Sequence, residues 1–295
     1  MLPDSSRINK ALGKEFKELD RAYLNLLGEQ DKKLIASYRT ALKSVQDKIA
    51  QTYRDFGDKP TITQLRKYDR LTKIETDILK RLNELESEVK TYISKQRKYS
   101  LVVGKRDSAT IINKTFGVEF VPARYSEASI VKYLEDTLWI DALKVSTSKL
   151  FTEIKREFET ILRANAREEI ISGALEGKSI RELSKYLMER FDVGYNRAKV
   201  IAWTETHKFY NIGRNDSINE AIENAPEYGL KAFKVWRHNG IGKPRPEHVE
   251  ADGQRADENG MFNVGGEELE APGLGTDPAN NINCHCTIDL VIEKE

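Results

Sequence analysis

Two long stretches in the first third of the chain carry apolar residues at helical spacing, and that period constrains the fold more than anything else in the sequence. Ile8, Leu12, Phe16, Leu19, Tyr23 and Leu26 step by four, four, three, four and three. After an interruption at "GEQD", Leu34, Tyr38, Leu42, Val45, Ile49, Tyr53 and Phe56 step in the same way. One apolar stripe with charge elsewhere predicts an amphipathic helix. "FGDKPTIT" is a break, with Gly57 and Pro60 as stop signals and Thr61 as a cap. Leu65, Tyr68, Leu71, Ile74, Ile78, Leu82, Leu85, Val89 and Tyr92 then form a second stripe. Two such helices joined by a short turn most simply pair as an antiparallel hairpin, since neither buries its stripe alone.

The helical period fades over residues 101–125, whose Val, Ile, Thr, Phe and Gly content predicts an irregular connector with short extended pieces. Helix resumes after Ser126, an N-cap before "EASIVKYLEDTLW", and runs to about residue 172. A short helix after Gly177, a turn at "DVG" and a longer helix from Tyr195 to Asn224 follow. A helix–turn–helix with basic residues invites a DNA-reading interpretation. Ile180, Leu183, Leu187 and Phe191 suit a packed helical hairpin instead, and Glu205, Glu220 and Glu223 suit a groove-reading helix poorly. From Pro226 onward Gly and Pro are frequent, "KAFKVW" alternates as a strand, and "MFNV" and "CTIDLVIE" are further strand candidates. The expected fold is therefore mainly α with a small C-terminal α+β domain. Its parts are a long helical hairpin (1–100), an irregular connector (101–125), a helical segment (126–225) and a loop-rich mixed terminal domain (226–295).

Charge narrows the function classes. The chain is 39% hydrophobic and 32% charged, with a net charge of +1 that hides an asymmetry. Residues 241–295 hold 4 Lys/Arg against 12 Asp/Glu, a net of −8, so residues 1–240 carry +9. The basic part has charges of both signs along nearly every turn, as solvated helix faces do. No apolar run approaches the roughly 20 residues that span a bilayer, and the start lacks the pattern of a secretory signal. The expectation is a soluble protein made in the cytoplasm, with no membrane partner.

All four histidines (His207, His238, His248 and His285) and both cysteines (Cys284 and Cys286) lie in the last third of the chain. Two cysteines do not make a secreted disulfide framework, and a bridge across one intervening residue would be strained. On an extended strand residues i and i+2 share a face, so the two sulfurs converge while His285 points away. His248 and Asp252 are four apart, the spacing of one helical turn. Thiolates, an imidazole and a carboxylate suit zinc. The candidate ligands are His248, Asp252, Cys284 and Cys286, with His238 as a substitute, and a structural zinc is the cofactor they imply. The alternative is that both cysteines pack as small apolar side chains. There is no His-Glu-x-x-His helix, Gly-x-Ser-x-Gly elbow or Gly-x-x-x-x-Gly-Lys-Ser loop. A nucleophile could be assembled from Cys284, His248 and Asp252, but acidic surroundings disfavour its thiolate.

Four stretches read together: "RAKVIAWTET" (Arg197 to Thr206), Trp236-Arg237-His238 with "RPEHVEADGQ" up to Gly253 and Gln254, Phe262 with Val264 and Gly265, and "NINCHCT" around Asn283. In that order they resemble the phage head morphogenesis family, the Mu F-like minor head proteins, over about residues 145–292. The chain departs from the family pattern at Trp203 and His285, where arginine is frequent. The resemblance implies a virion component, a minor capsid protein of the phage head. Such a protein assembles in the bacterial host cytoplasm, associates with portal, capsid and scaffolding proteins beside packaged DNA, and in some phages assists DNA ejection. It also implies that Arg197, Thr204 and Glu205 fix their helix against the terminal domain, with His248, Asp252 and Asn283 as candidate partners, in structural and not catalytic roles. Two other classes stay open: a metal-dependent hydrolase or toxin-like effector built on the His/Asp/Cys cluster, and a nucleic-acid-binding protein using the basic helical region.

Overall fold

A computed structural model describes residues 4–56, 70–136, 144–156, 180–240 and 244–294. Helices α1 (Ser5–Phe56), α2 (Arg70–Phe116), α3 (Glu127–Glu135) and α4 (Ile180–Asn224) dominate it, and residues 144–156 are also helical. A 3₁₀ turn, Ala225–Tyr228, leads into strand β1 (Leu230–Arg237). The short helices α5 (Pro246–Glu250) and α6 (Pro278–Asn281) and the strands β2 (Phe262–Val264), β3 (Glu267–Leu269) and β4 (Thr287–Lys294) complete the order. The fold is mainly α with a small α+β end, and the three predicted strands are all present.

The chain forms two compact units. One comprises Met1–Glu29, Ile93–Ile140 and Val200–Glu295; the other comprises Gln30–Tyr92 and Asp141–Lys199. The four sequence segments do not follow these units, because the core of the first is assembled from distant pieces. Ile8, Leu12 and Phe16 of α1 are buried in one cluster with Ile112 and Phe116 of α2, Ile218 of α4, and Trp236, Phe262, Cys286 and Ile288. Within the second unit, Tyr92 donates to the Gln30 carbonyl (2.9 Å) and Lys48 pairs with Asp77 (2.9 Å), so α1 and α2 run antiparallel as the hairpin reading expects. The "FGDKPTIT" break lies largely outside the described residues.

Three sequence expectations are corrected. Helix α1 passes through "GEQD" without a break. The buried positions Leu27, Gln30 and Leu34 keep the three-then-four step, and polar Gln30 merely occupies a stripe position. Helix α2 continues to Phe116, across most of the expected connector. Its period is hidden because Ser100, Leu101, Val103, Lys105, Ser108, Ala109, Ile111 and Ile112 are all buried, so more than one face is covered. Helix α4 likewise runs through "DVG", and Gly194 is no turn. A Cβ there would come within 2.9 Å of Ile154 Cδ1, so the glycine permits close packing.

Where α2 ends, Gly117 takes φ 72 and its N–H returns to the Asn113 carbonyl. The Asn113 side chain then accepts from Phe120 and Val121 N–H and donates to the Val121 carbonyl, which turns the chain. Ser126 caps α3 as predicted, accepting from Ser129 N–H at 3.0 Å. Strands β1 and β4 pair antiparallel, from Leu230 opposite Lys294 to Arg237 opposite Thr287. The β2–β3 hairpin closes over Gly265 and Gly266, both at positive φ, the conformation a two-residue turn of type I′ requires.

Candidate functional site: a helix-to-strand clasp

The quoted motif residues from Val200 onward lie within the first unit, where one face of α4 reads the backbone leading into β4. Thr204 Oγ1 accepts from Asn283 N–H at 3.0 Å. His207 Nε2 lies 2.8 Å from the Cys286 carbonyl. Asn211 donates to the same carbonyl and to that of Pro272, both at 3.0 Å. Arg214 donates to the Ile288 carbonyl (2.5 Å) and to Asp289 (2.8 Å). Thr204, His207, Asn211 and Arg214 step by three, four and three, so they share a helix face. Asn283 has φ 55, a left-handed conformation that asparagine tolerates, and the bond to Thr204 holds it there.

Arg214 is the centre of charge. It is fully buried, packs over the Phe16 ring (4.4 Å) and pairs with Asp20 of α1 at 2.5 Å as well as with Asp289. Asp20 accepts a second hydrogen bond from Thr287 Oγ1 (3.0 Å), and Asp289 a second from Arg237 (2.8 Å). Burial raises the Asp289 pKa, and the two arginines oppose that rise. A buried ion network survives only when its charges are this fully partnered.

Beside the helix-to-strand contacts, His248, Cys284 and Cys286 meet. His248 Nδ1 is 3.5 Å from each sulfur, and the three ligand atoms lie within 4.8 Å of one another. All three residues are buried, at 3%, 4% and 2% exposure, and both cysteines are free thiols. The hydrogen bond from Cys286 holds the Cys284 thiol well below its usual range; burial opposes this and His248 reinforces it. Cys286 is pushed up by the same bond and by burial. Trp236, fully buried, closes this pocket edge-on to His248 (ring centroids 5.9 Å) and to Phe262 (5.4 Å).

His285, in the segment just before β4, meets a different set of side chains from the two cysteines. It meets Trp203 edge-on at 5.3 Å and lies 6.0 Å from His207. Burial, with His207 adding to it, pulls its pKa down to about 4. Asp252 does not join the three ligand atoms: its carboxylate accepts from His238 N–H at 2.9 Å. His238, the proposed substitute, lines an open cleft of about 660 Å³ with Asp252, Lys17 and Arg21.

"DGQ" is structural in a specific way. Gly253, at φ 80, and Gln254 bond through their backbones to Trp236, which adds a third strand-like segment beside β1. The Gln254 amide bonds both ways with the Asn263 backbone, at 3.0 and 3.1 Å. The partners found for Arg197 and Glu205 are other than the His248, Asp252 and Asn283 that the resemblance offered. Arg197 pairs with Glu153, and Glu205 with buried Arg97 at 3.2 Å. Between Glu205 and Ile218 every α4 residue but Asp216 is buried, so this part of the helix has no face to enter a DNA groove.

Glu267 was not among the residues singled out from sequence, yet it organises the loop before β4. It accepts from Thr276 Oγ1 (2.8 Å), Asp277 N–H (3.0 Å) and Asn280 Nδ2 (2.7 Å), and from Thr276 N–H. Burial works against its ionisation, but these bonds outweigh it and bring its pKa down to about 2. A depressed carboxylate contributes stability that is complete above the unfolded value near 4.5 and disappears as pH falls through about 2. In urea titrations at stepped pH, the wild type is expected to lose stability across that window, and Glu267→Gln to lose less. Identical pH slopes would contradict this assignment.

Fold and clasp together describe a mainly α protein whose small α+β end is locked to a central helix, and residues 164–289 match the family model described as Phage Mu protein F like protein. The resemblance carried by the motifs is thus borne out. The chain is also similar to Minor head protein GP7 of Bacillus phage SPP1, 23% identical across 94% of this chain and 87% of that protein. A shorter match, 30% identical over 134 residues, is to the NAD(+)--arginine ADP-ribosyltransferase EFV of Enterococcus faecalis. It covers 45% of this chain and spans 26% of the length of that relative. No solved structure gives a significant match. Among the described residues, no helix is long and apolar enough to cross a membrane.

Proposed function

We propose that this chain is a minor head protein that is built into the phage head during assembly, in the host cytoplasm, by binding the portal and neighbouring capsid or scaffolding proteins. The observation that carries the reading is the similarity to a minor head protein along 94% of the chain, motif region and N-terminal helices alike. The structure is compatible with it. Long amphipathic helices supply extended contact surfaces, and the clasp uses its polar groups to bind its own backbone, leaving them committed to structure.

The chain turns over no substrate in this reading. The match to the ADP-ribosyltransferase spans about a quarter of that protein, so it brings no activity with it. Packaged DNA is a non-specific neighbour, and assistance to DNA ejection is a later role of the same particle component. Co-expression with the portal protein of the same genome tests the assembly role. The expected result is a complex that survives size-exclusion chromatography at physiological salt. Complete separation of the two proteins, with the portal oligomer intact, would contradict portal binding.

A further inference from the structure

The cluster behind Trp236 has the dimensions of a metal site. Tetrahedral zinc, with bonds of about 2.0–2.1 Å to nitrogen and about 2.3 Å to sulfur, places nitrogen and sulfur about 3.5 Å apart. His248 Nδ1 stands 3.5 Å from both Cys284 and Cys286. Two thiolates and an imidazole select zinc over the hard cations that prefer oxygen.

We propose that His248 Nδ1 and the sulfurs of Cys284 and Cys286 bind one zinc ion as a structural clasp, with a solvent molecule as fourth ligand. Solvent is assigned because, among the described residues, no fourth His, Cys, Asp or Glu joins the group. The ion ties α5 to the segment entering β4, across 36 residues of loop-rich chain. Both sulfurs coordinate as thiolates, so binding releases the thiol protons. The segment it fixes is the one that Thr204, His207 and Asn211 grip from the other side. Each thus supports the other, and the inference is independent of the head-protein reading.

The test is metal content by mass spectrometry on the full-length chain, purified without chelators from zinc-supplemented cells. Wild type is expected to hold about one zinc per chain, as a single three-ligand site requires. Asp252→Asn is expected to retain it, and Cys284→Ser/Cys286→Ser to lose it together with thermal stability. Because the double variant is at risk of not folding, wild type is also exchanged with cobalt(II). A thiolate-to-cobalt charge-transfer band is expected, with the intense visible absorption of a tetrahedral site. Wild type with neither zinc nor the cobalt band would overturn the proposal, as would zinc retained by a folded double variant. Loss of zinc in Asp252→Asn would overturn the three-ligand assignment.

Discussion

Gly104→Ala and Gly213→Ala are each expected to destabilise the protein severely, by about 3 kcal/mol or more, the upper end for overpacking a close-packed interior. Helices α2 and α4 approach backbone to backbone at these positions. A Cβ on Gly104 would sit far inside contact distance of the Tyr210 carbonyl oxygen, and one on Gly213 inside that of the Leu101 oxygen. Neither obstacle is the end of a flexible side chain, so relief requires the helices to separate. Separation would break contacts that depend on the crossing, including Ser217 Oγ to the Lys105 carbonyl (2.8 Å). The gain in helix propensity from glycine to alanine, about 1 kcal/mol, offsets only part of this. Gly13 and Gly28 of α1 provide the control, since nothing lies within 4 Å of a Cβ built at either. There the same substitution is expected to stabilise by up to about 1 kcal/mol. Urea denaturation of all four variants measures the effect, and a uniform response would rule out the tight crossing.

Arg214→Ala is expected to cost about 3–5 kcal/mol, the range for removing one member of a buried ion network. The guanidinium compensates Asp20 and Asp289 at once, and both carboxylates are buried. Without it, Asp20 keeps Thr287 and Asp289 keeps Arg237, but one positive charge is lost from between two negative ones. The Asp289 carboxyl, already pushed up by burial, loses one of the two arginines that oppose that rise, so the deficit is expected to shrink on acidification as it neutralises. Adding Asp20→Asn to the variant is expected to recover part of the loss. Arg214→Lys is not a rescue, because an ammonium cannot reach Asp20, Asp289 and the Ile288 carbonyl with one planar fork. Parallel denaturation of the single and double variants at two pH values tests this; a pH-independent loss below about 1 kcal/mol would match an exposed pair instead.

Legibility in the sequence followed what periodicity can express. The stripe from Ile8 to Leu26 announced its helix because one face is covered and the other is wet, whereas in β1 the consecutive residues Lys234, Val235 and Trp236 are all buried. Helices α2 beyond Ser100 and α4 beyond Glu205 were harder, since burial on several faces erases the contrast that a single stripe provides. The glycines at 104, 194 and 213 compounded the difficulty: glycine reads locally as a break, while here it admits a neighbour.

The clasp was half legible. Cys284 and Cys286 meeting His248 while His285 meets Trp203 matches the alternation expected of an extended chain, although these residues precede β4. The meeting with His248 depended on the fold of the Gly-rich loop, which spacing does not specify. Thr204, His207, Asn211 and Arg214 were findable, because a polar stripe stepping three, four, three marks a buried helix face as an apolar one does. Asp20 was not findable. It sits 194 residues from Arg214 in a helix full of exposed carboxylates, and only the tertiary contact distinguishes it.

The most direct measurement is peptide mass spectrometry of purified, DNA-filled heads assembled from a genome that encodes this chain. The head-protein reading predicts its peptides in the particle at fixed stoichiometry to the portal, surviving nuclease treatment and a high-salt wash. Peptides found only in the soluble lysate, with particles of normal composition lacking them, would contradict it.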